Sequence, residues 1–365
     1  MSTLEIRTDR IIRNIEKLNS FLSRHNVQWT LVSKILSGHR ATLEKIVTHD
    51  AMSGVHSVGD ARLSSLKTMK QIRPDLVTMY IKPPAIRNVE SVVKYADISL
   101  NTYYKTIHAL NDAARKQDRI HKIIIMVEMG ELREGIIRDH ILNFYEGVFQ
   151  LPNIEVIGLG TNLGCMYGVE PSFDKLIQLC LFQELIKARF HTELPIISGG
   201  SSINLPFIAR KKMPARVNHM RIGEAAFMGM SPYNNKKFKD LSVDAFEFRG
   251  EVIEFYRKEN EPDGIISDAA IGHIAEEDSA RNHTAQMSYK AVVDFGLLDV
   301  SNEDLTPKDK AVKFVGTTSD MTVFAVDVPK GKNPKYRVGG TIQFKPGYMG
   351  VARLMNSKFV TKRPV

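Results

Sequence analysis

Residues 29–39 read Trp-Thr-Leu-Val-Ser-Lys-Ile-Leu-Ser-Gly-His, and this stretch decides the fold. Trp29 to Val32 is a β-prone apolar run that delivers one lysine, Lys34, at its end. Gly38 and His39 break the run, and helical spacing of apolar residues begins near Ala41. A strand that ends on a lysine and feeds a helix is the first unit of a (β/α) repeat. In such folds the chemistry gathers at the C-terminal ends of the strands. The plain alternative for Lys34 is a solvated lysine at a strand end.

The alternation continues along the chain. Strand-like runs are expected at Trp29–Lys34, Met52–Ser57, Leu76–Ile81, Ala96–Asn101, Lys122–Glu128, Ile154–Thr161, Pro195–Gly199 and Val217–Ile222. Helical patterns fall between them, including Ala41–Thr48, Gly59–Gln71, Tyr103–Lys116 and Phe173–Phe190, and a last short one covers Glu224–Gly229. Eight strand–helix units at this spacing predict an α/β fold, a closed (β/α)8 TIM barrel, with an open doubly wound sheet as the alternative. After Ser231-Pro232-Tyr233-Asn234-Asn235 the long helical patterns stop. Short runs such as Phe246–Phe255, Met287–Val293 and Met321–Val326, separated by turn-rich segments, predict a C-terminal mostly-β domain. The expected division is 8–235 for the barrel and 236–365 for the β domain, with residues 1–7 a candidate strand of the latter.

The chain has 365 residues, of which 43% are hydrophobic and 25% charged, the balance of a globular protein with a sizeable core. No apolar run reaches the length of a membrane span, and the charged N-terminus lacks the apolar stretch of a signal peptide, so the cytoplasm is the expected compartment. The two cysteines, Cys165 and Cys180, have no metal-ligand spacing and no disulfide framework. The net charge of +9 is dispersed, with short clusters at Arg210-Lys211-Lys212 and Lys236-Lys237 and no aromatic-interleaved basic motif. No nucleic-acid partner is therefore expected, while attraction of phosphates and other anionic small molecules is compatible with the charge.

Two loops carry the chemical signal. Ser198-Gly-Gly-Ser-Ser-Ile-Asn204 closes the seventh strand and opens a helix: glycines permit close approach, serines offer hydroxyls, and the helix start offers N–H groups to a phosphate. Helix capping by the same serines is the plain alternative. Met220-Arg221-Ile222-Gly223-Glu224 closes the eighth strand, where Gly223 begins another helix. Phosphate sites in barrels often use these two loops. A lysine on the first strand, N–H groups on the seventh and eighth, and Arg221 share one mouth, the layout that a pyridoxal phosphate site requires.

At this point the chain resembles the alanine-racemase-like, fold-type III pyridoxal-phosphate enzymes, and within them the ornithine/lysine racemase-like branch. The resemblance rests on Val32-Ser-Lys34, Gly130-Glu-Leu-Arg-Glu-Gly135, Gly158-Leu-Gly-Thr-Asn162, Ser198-Gly-Gly-Ser-Ser202, Arg221-Ile-Gly223, Gly316-Thr-Thr-Ser-Asp320 and the segment from Tyr348 to Lys362. It implies pyridoxal 5'-phosphate as cofactor and racemisation of an amino acid, basic or polar, such as ornithine or lysine. Lys34 would carry the cofactor as a Schiff base and serve as acid–base on one face of the substrate. Arg221 would face the pyridine nitrogen, where a fixed positive charge disfavours ring protonation. Ser201, Ser202, Ile222 and Gly223 would hold the phosphate. Asn162 stands where alanine racemases place a histidine.

Arg133 would meet the phenolic oxygen or the substrate carboxylate, its plain alternative being an ion pair with Glu131 or Glu128. Glu131 is the expected partner for the distal amine of a basic substrate, with Asp320 and Tyr348 as further substrate-site residues. His39 is either a mouth residue or a helix-start histidine. The tyrosine that alanine racemases use as second base has no counterpart in Asp294-Phe-Gly-Leu-Leu-Asp299, which leaves Asp320 and Cys165 as candidates. The resemblance also implies a homodimer with shared active sites. The alternatives are a non-catalytic carrier of the cofactor, whose relatives lack the β domain, and a metal-assisted lyase, which needs a His/Cys pair in the β domain. Both cysteines lie in the barrel half, so no metal ligand is expected.

Overall fold

Eight parallel strands close on themselves in the computed structural model, which describes residues 1–266, 272–275 and 287–365. After the N-terminal strand β1 (Thr3–Ile6), the barrel runs β2 (Gln28–Val32), β3 (Ser57–Asp60), β4 (Thr78–Tyr80), β5 (Ile98–Asn101), β6 (His121–Met126), β7 (Ile154–Gly160), β8 (Ile196–Ser198) and β9 (His219–Ile222). Closure is set by β9 on β2, with Thr30 opposite Arg221. This registers Lys34, which begins a short 3₁₀ turn just beyond β2, beside the end of β9. The open-sheet alternative falls with that pairing.

The strands are short because the barrel needs only a few residues of each to be buried on both faces. Met79, Ile98, Leu100, Ile124, Met126, Ile157 and Ile196 form one buried apolar cluster. Thr30, Ser57, Thr78, Ser99, His121, Ser198 and His219 add a buried polar set, each 2% exposed or less. Two elements differ from expectation. The run Met52–Ser57 is not a strand: residues Asp50–Gly54 form a 3₁₀ turn, capped by His49, whose Nδ1 accepts from Ala51 N at 3.1 Å, with Met52 buried beneath it. Gly59 lies inside β3, where a Cβ would come within 2.9 Å of Thr30 Cγ2, so the following helix starts at Leu63 instead.

The chain divides into two compact units, Thr8–Val243 and Met1–Arg7 with Asp244–Val365. The pattern break at 231–235 therefore precedes the boundary. Residues up to Val243 stay with the barrel through Phe238, whose ring packs 5.3 Å from that of Phe21, and through Asn14, whose Nδ2 donates to Ser242 O at 3.0 Å.

The second unit is built on an antiparallel sheet whose longest strand spans Phe246–Glu259. β1 pairs with it antiparallel and with Thr361–Pro364 in parallel, which accounts for the assignment of residues 1–7. Phe248, Phe295, Phe324 and Phe344 form its aromatic core, with neighbouring ring centroids 5.0–6.2 Å apart. A helix, Tyr348–Asn356, follows the strand Thr341–Pro346.

Candidate active site at the C-terminal end of the barrel

Arg221 is the last-but-one residue of β9 and is 6% exposed. Its Nη1 donates to Ser198 Oγ at 2.5 Å and its Nη2 to the Thr161 carbonyl at 2.8 Å, so β8 and the residue after β7 hold the guanidinium from two sides. Burial pulls its pKa down to about 10, which leaves it cationic at neutral pH. Lys34 is exposed at the neighbouring strand end.

The two expected phosphate loops meet. Ser202 is 2% exposed, and its Oγ accepts from Ala225 N at 3.2 Å, which ties the loop after β8 to the helix start after β9. Ser201 is the extended residue before the 3₁₀ turn Ser202–Asn204, and Gly223 precedes the helix Glu224–Met228. Gly200, at φ +139°, allows the turn, since a Cβ there would lie 2.5 Å from Asn204 Oδ1. At Gly223 a Cβ would press within 3.1 Å of the Val32 carbonyl and fill the space between β9 and β2.

Glu131 does not offer a carboxylate to the mouth. It is 2% exposed, and both oxygens are occupied by the loop after β7. Oε1 accepts from Gly164 N at 3.1 Å and Val169 N at 2.8 Å; Oε2 accepts from Cys165 N at 3.2 Å, Met166 N at 2.7 Å and Tyr167 N at 3.3 Å. Burial acts to raise its pKa, but these backbone donors outweigh it and hold the pKa below the usual carboxylate range. The expected role for Glu131 as partner of a substrate amine is corrected accordingly: it is the anchor of the 164–169 loop.

Arg133 sits in the loop after β6, which Gly130 and Gly135 bend. Gly135 has φ +153°, and a Cβ there would lie 2.2 Å from Glu128 N. The Arg133 guanidinium pairs with Glu134, rather than with Glu131 or Glu128, and its Nη1 lies 2.6 Å from Cys165 Sγ. The Glu134 pair raises its pKa further. Asn162 carries a buried Nδ2 with no hydrogen-bond partner among the described residues. His39 bonds Thr42 Oγ1 at 2.8 Å through Nδ1, the helix-start position. Asp320 and Tyr348 belong to the other unit: Asp320 Oδ1 accepts from Ser319 Oγ at 3.0 Å in an exposed turn, and Tyr348 opens the helix Tyr348–Asn356.

Two residues of the mouth had escaped the sequence reading. Asp60, at the end of β3, is 1% exposed; its Oδ2 accepts from Ser33 Oγ at 3.0 Å, next to Lys34, and burial raises its pKa. Glu224 is half-buried with its pKa raised by burial, against which the charge of Lys34 acts. Asp60 follows Gly59 at a strand end, a signal that the misplaced strand concealed.

The residues present suit a phosphate-bearing pyridine. Two helix starts offer N–H groups; among the described residues Asn162 offers an unpartnered donor, and only two acceptors engage the five N–H donors of Arg221. Residues 6–231 match the sequence model of the family described as "Alanine racemase, N-terminal domain". The chain belongs to the alanine racemase family. It is 32% identical over 322 residues to the ornithine racemase of Acetoanaerobium sticklandii, which covers 86% of this chain and 88% of that protein. It is 26% identical over 359 residues to the lysine racemase of Thermotoga maritima, covering 98% and 97%.

Among solved structures, alanine racemase from Bacillus anthracis with bound L-Ala-P superposes with a TM-score of 0.73 at 17% identity, covering 100% of this chain and 95% of that one. D-threonine aldolase from Filomicrobium marinum gives 0.68 at 15%, covering 98% and 88%. At these identities the likeness shows the alanine racemase fold alone.

Proposed function

We propose that this chain is a pyridoxal-phosphate-dependent racemase of a basic amino acid, ornithine or lysine being the expected class. The observation that carries the reading is the buried Arg221, held by Ser198 and the Thr161 carbonyl one strand away from Lys34. A buried guanidinium with donors to spare wants a fixed acceptor, and a ring nitrogen is one. Similarity to ornithine and lysine racemases over most of the chain supports the substrate class.

In this reading Ser201, Ser202, Ile222 and Gly223 hold the phosphate with Asn162 alongside, and Arg133 orients the substrate carboxylate. Lys34 Nζ serves one face of Cα, removing the α-proton from one enantiomer or delivering a proton there when the other enantiomer has lost its own on the opposite face. Bound, the cofactor withdraws electrons from the substrate Cα and makes its proton removable near neutral pH. For the opposite face Cys165 is the candidate favoured over Asp320. Its Sγ lies beside Arg133, on a loop that Glu131 pins, whereas Asp320 Oδ1 is engaged by Ser319. Each subunit is proposed to work in a homodimer in the cytoplasm. Both cysteines are free thiols, in keeping with a reducing compartment, and among the described residues no helix is long and apolar enough to cross a membrane.

The test is an absorbance spectrum of wild type and Lys34→Ala with the cofactor, followed by α-proton exchange of ornithine, lysine and alanine in D₂O. A Lys34-dependent visible band, with exchange and D/L mixing of ornithine or lysine, is expected. No band refutes the cofactor reading. A band without exchange of any amino acid favours a carrier.

A further inference from the structure

We infer that His219 is a positioning residue for Arg221, the centre of a one-way hydrogen-bonded chain that crosses the barrel and locks the guanidinium for its acceptor. The inference rests on the reading that Arg221 faces the cofactor ring. His219 stands two residues before Arg221 on β9, so both side chains lie on one face of the strand. Arg221 Nη1 donates to Ser198 Oγ at 2.5 Å, and Ser198 Oγ lies 2.9 Å from His219 Nδ1. His219 Nε2 lies 3.0 Å from Thr30 Oγ1, Thr30 Oγ1 lies 2.7 Å from Ser57 Oγ, and Ser57 Oγ lies 3.3 Å from His56 Nδ1. His56 lines a cavity of about 840 Å³ at the opposite end of the barrel, together with Gln28, Asp97, His121 and Asn218.

The direction of this chain follows from donor counting. Arginine only donates. His219 is fully buried, and burial first, then the nearby His56 and Arg221, push its pKa well below the ordinary value, so it is neutral and has one N–H. Were that N–H on Nδ1, Ser198 Oγ would accept from both Arg221 and His219. Its own proton would then have no acceptor among the described residues, a buried unsatisfied donor. With the proton on Nε2 every group is served. Ser198 donates to Nδ1, Nε2–H donates to Thr30, Thr30 donates to Ser57, and Ser57 donates to His56. Ser198 keeps its lone pairs for Arg221. The guanidinium is then fixed between Ser198 and the Thr161 carbonyl, and its remaining donors keep one orientation. An apolar barrel interior would pack without any of these groups; here each donor from Ser198 to Ser57 has its acceptor, and the end left open to accept is the one that Arg221 fills.

The test compares equilibrium binding of pyridoxal 5'-phosphate with that of its deaza analogue, which has a carbon in place of the ring nitrogen. Wild type, Arg221→Lys, Ser198→Ala and His219→Leu are measured, with circular dichroism melts to confirm folding. Loss of a hydrogen bond that orients a charged donor should weaken pyridoxal 5'-phosphate binding about tenfold in Ser198→Ala and His219→Leu. The deaza analogue should bind the variants as it binds wild type. Equal losses for both ligands, or no loss for either, overturn the inference. A selective loss in Arg221→Lys alone overturns it while leaving the cofactor reading intact, and wild type that binds neither ligand removes both. Long-range ¹H–¹⁵N NMR of the unaltered protein should show the Nε2–H tautomer of His219; the Nδ1–H tautomer or an imidazolium overturns the stated direction. If His219→Leu does not fold, Ser198→Ala and the tautomer decide.

Discussion

Replacing Glu131 by glutamine tests what the carboxylate is for. The amide must turn its NH₂ toward one of two sets of backbone donors. The cheaper choice places it on the Oε1 side, where the bonds from Val169 N at 2.8 Å and Gly164 N at 3.1 Å are lost and a donor faces donors. The first is a good charge-assisted bond and the second a weaker one, together about 2–3 kcal/mol. The three donors left on the other oxygen lose the negative charge they share, about 1 kcal/mol more. A total of about 3–4 kcal/mol, at about 3 °C per kcal/mol for a unit of this size, lowers the barrel melting temperature by about 10 °C if the loop melts with the barrel.

If the loop detaches first, the loss appears instead as faster reaction of the exposed Cys165 with a thiol reagent, with the buried Cys180 as internal control. Because the loop carries Cys165 against Arg133, turnover of every substrate should fall, ornithine and alanine alike. Unchanged melting together with unchanged Cys165 reactivity refutes the anchoring argument. A rise in KM confined to ornithine and lysine refutes it as well and returns Glu131 to the substrate amine.

His121 is buried, and burial lowers its pKa to about 4 from an ordinary 6.5, so between those values the unfolded chain binds the extra proton. The His121 contribution to stability should therefore fall as pH drops from about 6.5 to about 4, by about 3 kcal/mol, and denaturation midpoints against pH should slope less steeply in His121→Gln than in wild type by that amount, buried His219 keeping part of the slope in both. Gly135→Ala places a Cβ against the Glu128 backbone at a φ that side chains avoid, and should cost about 2–4 kcal/mol in urea unfolding; a cost below about 1 kcal/mol would contradict the loop geometry. Cys165→Ala should abolish D/L mixing while exchange of one enantiomer's α-proton in D₂O continues through Lys34, and full racemisation by this variant would remove Cys165 as second base. Sedimentation should give a dimer, and an active monomer would refute shared sites.

The barrel, the β domain and the positions of Lys34, Ser201, Ser202, Arg221 and Gly223 were legible in the residues alone. Period-2 runs ending at a lysine or arginine, and glycine-serine turns before helices, are local signals: they arise from backbone geometry within a few residues. Met52–Ser57 shows the limit of that locality. An apolar residue in a turn reads like one in a strand until something packs on it, and here Met52 is buried in a 3₁₀ turn. The boundary at Val243 was likewise hidden, because Phe238 and Ser242 stay with the barrel through contacts to Phe21 and Asn14, more than 200 residues away in the chain.

What only the tertiary structure decided is the state of the polar side chains. By its sequence Glu131 is a carboxylate in an active-site loop, free to bind an amine. The fold brings five N–H groups from residues 164–169 onto it and leaves it no capacity for a substrate. His219 and Ser198 read as strand residues, and the pairing of β8 with β9, which sets Ser198 opposite His219, makes them the support of Arg221. A sequence determines which donors and acceptors exist and where they sit along a strand. Which of them meet is settled by strand register and barrel closure, since a hydrogen bond is decided by tenths of an ångström between residues that the chain keeps far apart.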